Sequence, residues 1–396
     1  MASSSPVGRG TRPAPLRQEL ARPRTATAAA FATQGLVFIT LTTRLPAVQR
    51  DFDLGELALA LVLLVVVLLA GVGSVVAEKL SAGRSSAVLL RAGLATMAVA
   101  VPLLVLAPVF WLFVVGMAAY GVTVGIVDAT TNMQGVALEH RAGRPVLPSL
   151  HGFWTLGGVI GAALALAMGN LPRETSVWVA VVPAVVALAP FLPRDDGPPA
   201  TEAPGVPWRP IVMVGLALVL FYMVDTAAAT WGPTYLDDTF ATPTRLVALA
   251  TFPYLVASGL VRLAGDGLVA RFGPTPVVRV SAVVASAALA VVAFAPSWPV
   301  AVAGFTLLGA GTAVIAPLSF SAAARIAGGD DLSPAARQAR VDAVIARFNQ
   351  FNYVGALLGS VMTGVVGAGS LRYGFAMPMV LILGLLPLAR FFSSDG

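Results

Sequence analysis

Asp128 and Asp225 each lie deep inside a long apolar stretch of the chain. A charge at the centre of a bilayer costs about 2.5 to 3.5 kcal/mol even on lenient insertion scales, so each carboxylate must face a cavity or a partner. Acids in such places take up and release protons, which makes both candidates for proton coupling. Four residues after Asp128 comes Asn132, and Gly121, Gly125 and Gly135 recur on the same helical face. Glycines let another backbone approach that face, and the Asp and Asn supply polar contacts. The next apolar stretch answers with His151, Trp154, Thr155, Gly158 and Ala162, and with a GxxxG pattern at Gly157 to Gly161. Two readings stay open for this pair of faces: part of a ligand cavity, or a seam that satisfies its own polar groups. His151 is likewise either a proton shuttle partner for Asp128 or a hydrogen-bonded structural residue.

Further polar residues sit at helical spacing elsewhere. Tyr222, Asp225 and Thr226 fall within one turn, with Trp231 and Tyr235 beyond them. Tyr235 reads as part of an interfacial aromatic belt, Trp231 as a ligand-facing ring. The segment RFNQFNY brings Arg347, Asn349, Gln350, Asn352 and Tyr353 together, a hydrogen-bonding set suited to a hydroxylated or zwitterionic solute. Gln34 is the polar residue deepest in the first apolar stretch, and Arg44 just past it reads as an edge anchor. Arg262 and Asp266 stand four apart and can pair on one helical face.

The elements that must position these residues are membrane helices. A hydrocarbon core about 30 Å thick needs about 20 apolar residues at about 1.5 Å each. Twelve stretches of that kind run from Thr25 to Phe392: 25–43, 56–77, 86–106, 109–132, 147–167, 176–192, 211–235, 246–268, 277–295, 300–323, 344–366 and 373–392. Their continuity predicts helices, whereas barrel strands alternate in polarity over about 10 residues. The expected fold is an all-α integral membrane protein. The composition agrees: 57% hydrophobic, 11% charged, mean hydropathy +0.85, against about 25% charged residues in soluble domains.

Charge sets the orientation. With both termini cytoplasmic, the basic residues on the outer side reduce to Arg44, Arg50, Arg173, Arg245 and Arg372, and Arg262 lies within a helix; the remainder of the 25 lie inside. The net charge of +6 therefore reflects topology in a lipid bilayer, and no nucleic-acid partner is expected. The arginine-rich segment 1–24 has no hydrophobic run and does not read as a cleavable leader. The absence of cysteine and the presence of only two histidines argue against disulfides and against a metal centre, and no cofactor is expected.

The Pro-rich segment 193–210, PRDDGPPATEAPGVPWRP, divides the chain into halves 25–192 and 211–392, flanked by tails 1–24 and 393–396. GSVVAEKLSAGR closes the second stretch and RLAGDGLVARFG the eighth, a faint internal echo that predicts a repeat with a cleft between its copies.

Those residues carry a resemblance. GVTVGIVDATTNMQGVALEHRAGRPVLPSLHGFWTLGGVIG at Gly121 to Gly161, RLP at Arg44 to Pro46, TWGPTYL, RLAGDGLVARFG and GAGTAVIAPLSFSAA resemble the major facilitator superfamily, and within it the bacterial YbjJ-like branch, distantly related to fucose-permease-type sugar transporters. The resemblance implies two pseudo-symmetric six-helix halves, alternating access and a place in the bacterial cytoplasmic membrane. It also implies that Glu78, Lys79, Arg84, Arg262, Asp266 and Arg271 act as a gate, the alternative for the Arg262–Asp266 pair being a simple internal charge pair. The loop motif is degraded, with Ser74 where a glycine usually leads and Gly83 and Arg84 displaced; on the seventh stretch Thr230 replaces the second acid beside Trp231.

The expectation is a secondary transporter of a small polar organic solute, working as a monomer and coupled to protons, or alternatively to sodium. Its substrate contacts would come from Gln34, Asn132, His151, Trp154, Tyr222, Asp225, Trp231, Asn349, Asn352 and Tyr353. No P-loop, GxSxG or HExxH motif is present, so neither an ATP-driven pump nor an enzyme is expected. An exporter of drugs or a non-transporting sensor on the same fold stays as an alternative.

Overall fold

The computed structural model describes residues 14–81, 84–142, 146–193, 206–328, 344, 348 and 350–393. Among them there is no strand, and ten helical spans are long and apolar enough to cross a membrane. The N-terminal part comprises α1 (Ala14–Thr42), α2 (Leu45–Phe52), α3 (Glu56–Ser81), α4 (Ser86–Val105), α5 (Phe110–Ala142), α6 (Leu147–Ala167) and α7 (Val181–Val186). The C-terminal part comprises α8 (Trp208–Phe240), α9 (Phe252–Phe272), α10 (Pro274–Ala293), α11 (Trp298–Thr312), α12 (Ile315–Gly328), α13 (Gln350–Leu357), α14 (Thr363–Val366), α15 (Leu371–Leu381) and α16 (Leu385–Leu388).

Three differences from the expected spans have local causes. The sixth stretch is not one α-helix: a 3-10 turn runs Arg173–Ala180 before α7, because Pro183 has no N–H for the Val179 carbonyl and its ring crowds that turn. The eleventh stretch is broken by a π segment, Leu358–Met362, between α13 and α14. The connection after the first stretch folds into α2, which Pro46 starts and the left-handed Asp53 ends.

The two parts are copies. α3 packs on α5 as α9 packs on α11; α4 packs on α5 as α10 on α11; α1 packs on α6 as α8 on α13. The details repeat as well. A β-carbon on Gly116 would strike Leu104 and one on Gly304 would strike Val292, while Gly121 presses on the Val66 carbonyl and Gly309 on that of Tyr254. Phe52 precedes left-handed Asp53, and Phe240 precedes left-handed Ala241. Arg173 donates to the carbonyls of Val105 and Ala107 and covers the Phe52 ring; Arg372 donates to those of Ala293 and Ala295 and covers the Phe240 ring. The fold is thus twelve membrane segments in two pseudo-symmetric six-helix halves.

Side chains such as Val99, Leu188 and Phe294 point outward, where hydrocarbon replaces water. Inside each half, glycine seams set the packing. The α1–α6 seam is tight, since a β-carbon on Gly157 would overlap the Ala32 carbonyl and one on Gly35 that of Trp154. Gly157→Val is therefore expected to push α1 from α6 and to cost about 2 to 3 kcal/mol. Thermal unfolding in detergent measures it, and an unchanged melting temperature would refute the seam.

Candidate functional site

The face of the bundle bearing Ala14 and Ser393 is called the terminal face below, and the other the opposite face. At the opposite face the halves touch. Arg50 on α2 pairs with Asp237 on α8. A β-carbon on Gly169 would strike Arg245, and Gly364 on α14 is wedged between Trp231 of α8 and Ala60 of α3. Trp231 is fully buried and gives its indole N–H to the Ser360 carbonyl in the π segment, 2.7 Å away.

Toward the terminal face the halves are bridged a second time. The Tyr353 hydroxyl on α13 donates to Asp128 Oδ2 on α5 at 2.5 Å. Arg262 on α9 donates Nη1–H to Thr155 Oγ1 on α6 at 2.8 Å and Nε–H to the Ala313 carbonyl at 3.1 Å. The His151 ring lies 6.5 Å from Phe320 of α12.

Between these levels polar side chains of the two halves come together. On α1, Phe31, Gln34 and Phe38 share a face by their three- and four-residue spacing. Phe31 meets His151 at 4.8 Å and Phe38 meets Trp154 at 6.2 Å. Gln34 sits between two aromatic pairs, and its buried Nε2 has no hydrogen-bond partner. From the other half, Asp225 accepts from the Tyr254 hydroxyl on α9 at 2.5 Å, and that hydroxyl also lies 3.5 Å from Thr312 Oγ1. Tyr222 is near enough to both Asp128 and Asp225 to feel their charges, and Arg262 acts on the same group. Asn132 donates to the Asp128 carbonyl at 3.0 Å and to its Oδ1 at 3.3 Å.

Of the residues singled out from sequence, Gln34, His151, Trp154, Tyr222, Asp225, Asp128, Asn132, Arg262 and Tyr353 lie in or beside this middle region. Asn352 is half-buried on α13. Trp231 stands apart, in the seam that closes the opposite face. Lys79, Arg84 and Arg271 are exposed, Arg271 lying over the Phe272 ring. Asn349 and the side chains of Glu78 and Asp266 lie outside the described residues, as does Arg347. Among the described residues no cluster of three or more metal-type ligands occurs.

One partner escaped the sequence reading. Tyr254 is a single polar ring in an apolar run, and its one available signal was polarity inside a membrane span.

No family profile matches the chain. It is 30% identical over 321 residues to the uncharacterized transporter y4wD of Sinorhizobium fredii, covering 78% of this chain and 84% of that protein. It is 25% identical over 373 residues to an uncharacterized MFS-type transporter of Yersinia pestis, covering 91% and 93%. Neither name carries the finer branch. Among solved structures, the nucleoside transporter NupG superposes with a TM-score of 0.66 at 14% identity, over 95% of this chain and 98% of that one. The transporter FucP in its outward conformation gives 0.63 at 18% identity, over 95% and 100%.

Proposed function

Since the chain belongs to the major facilitator superfamily of transporters, we propose that it carries a small polar organic solute through the cleft between its halves, by alternating access coupled to protons. The terminal face is cytoplasmic in this reading, because the basic residues concentrate there.

The observation that carries the solute class is Gln34. A buried amide donor without a partner costs about 1 to 3 kcal/mol, a cost that a bound acceptor, such as a hydroxyl or carboxylate oxygen, removes. The aromatic pairs on either side, Phe31–His151 and Phe38–Trp154, offer flat apolar walls to the carbon skeleton of such a solute. Tyr222 and Asp225 supply hydrogen bonds from the other half, so a solute that touches both sides favours their approach. Asp128 and Asp225 are the proton-carrying groups, each already hydrogen-bonded to a tyrosine hydroxyl.

The test starts from purified protein. Monosaccharides, polyols, amino acids and drugs are screened by thermal shift, since a ligand of the native state raises apparent stability by mass action. With a hit in hand, Gln34→Leu is expected to weaken its binding about tenfold or more while leaving the melting temperature of the free protein unchanged or higher. Undiminished affinity in that variant would remove Gln34 from the site.

A further inference from the structure

We propose that Tyr353 is a latch between the halves whose hold depends on the protonation state of Asp128. This deepens the proton-coupled reading above and rests on it. Tyr353 belongs to the C-terminal half, while its hydrogen-bond partner Asp128 belongs to the N-terminal half. The bond therefore spans the cleft. It lies on the terminal side of the middle: Asp128 stands 18 residues from the Phe110 end of α5 and 14 from its terminal end at Ala142. Opening the cleft to the terminal face must break it.

An O–H donor on an ionised carboxylate makes a short, charge-assisted bond, about twice as strong as a neutral one. When Asp128 is protonated the charge assistance is lost, and Asn132 Nδ2–H, 3.3 Å from Oδ1, remains as a local partner that asks nothing of the other half. Proton uptake thus loosens this tie between the halves, while the Arg262–Thr155 bond stays in place. Arrival of a proton at Asp128 and opening toward the terminal face become one event.

The described ionisable groups on the helices packed against α5 are Glu56 and Lys79 near the ends of α3, Arg91 on α4, the Glu19 to Arg24 segment of α1, and His151 on α6. Tyr222 and Tyr353 face Asp128 from the other half. Histidine is the one residue type among them whose free side chain ionises near neutrality, so His151 is the group to be controlled.

The chain has no cysteine, so Leu80→Cys and Phe272→Cys, both exposed at the terminal ends of α3 and α9, place a spin-label pair across the cleft without further engineering. Distances are measured from pH 5 to pH 8 in lipid nanodiscs with no solute added. The labelled parent should move from short to long distances as pH falls, with an open-to-closed ratio changing about tenfold. Tyr353→Phe and Asp128→Asn should show the long, low-pH distribution throughout, and His151→Gln should respond as the parent does. A parent that ignores pH overturns the latch, as does a Tyr353→Phe response equal to the parent's or a response that vanishes in His151→Gln. Proton-driven flux in liposomes is scored separately: flux with an unlatched Tyr353 leaves the coupling reading standing, and absence of any proton dependence in the parent's flux removes that reading by itself.

Discussion

Replacing the coupling acid, Asp128 or Asp225, with Asn is expected to abolish uphill accumulation in reconstituted liposomes. If one proton moves with one solute, a gradient of one pH unit is worth about 1.4 kcal/mol and sustains about tenfold accumulation. The variant that removes the coupling acid should bring that ratio to one. Exchange of internal for external solute should survive, because exchange never requires the empty, deprotonated carrier to reorient. The two positions separate by their surroundings. Asp128 is tied across the cleft to Tyr353, so its loss should also shift the resting conformation. Asp225 is tied within its own half to Tyr254, so if it binds solute its loss lowers affinity at every pH. Wild-type accumulation by both variants under a pH gradient alone would show that coupling runs elsewhere.

Arg173→Ala and Arg372→Ala should each lower stability by about 3 kcal/mol, or a melting temperature by about 5 °C or more, and the double variant should lose close to the sum. The last carbonyls of a helix have no partner within it, and here a guanidinium supplies one. Arg173 reaches the carbonyls of Val105 at 3.2 Å and Ala107 at 2.8 Å past the end of α4, and bonds Asp51 at 2.5 Å. Arg372 reaches those of Ala293 at 3.0 Å and Ala295 at 2.8 Å past the end of α10. Hydrogen bonds to a charged group are worth about 1.5 to 3 kcal/mol each. Lysine at either position should rescue little, since it lacks the planar fork that spans two carbonyls and the face that lies on Phe52 or Phe240. The sites occupy different halves and share no partner, which is why their effects should add. A melt unchanged by either substitution, or a lysine variant as stable as the parent, would contradict this account.

The run lengths of apolar residues determined, without any structure, that the chain crosses a membrane many times as helices, because transfer from water to hydrocarbon is a sum over local residues. Leu147–Ala167 appears with the bounds read from sequence. The same local cost marked Asp128, Asp225 and Arg262 as inward-facing, and the echo between the second and eighth stretches announced the repeat. What each polar group touches was decided by tertiary structure alone. Periodicity gives the face of a helix but not the rotation and tilt at which it meets another, and those follow from glycine contacts such as Gly157 on Ala32 and Gly355 on Val219. That is why Trp231, read as ligand-facing, lies in the seam with Gly364, why Asp225 is held by the unforeseen Tyr254, and why Tyr353 reaches from one half to Asp128 of the other. The π segment before α14 also depends on packing, because the buried Trp231 indole, which bonds the Ser360 carbonyl there, tips a balance between hydrogen-bonding patterns that differ little in energy.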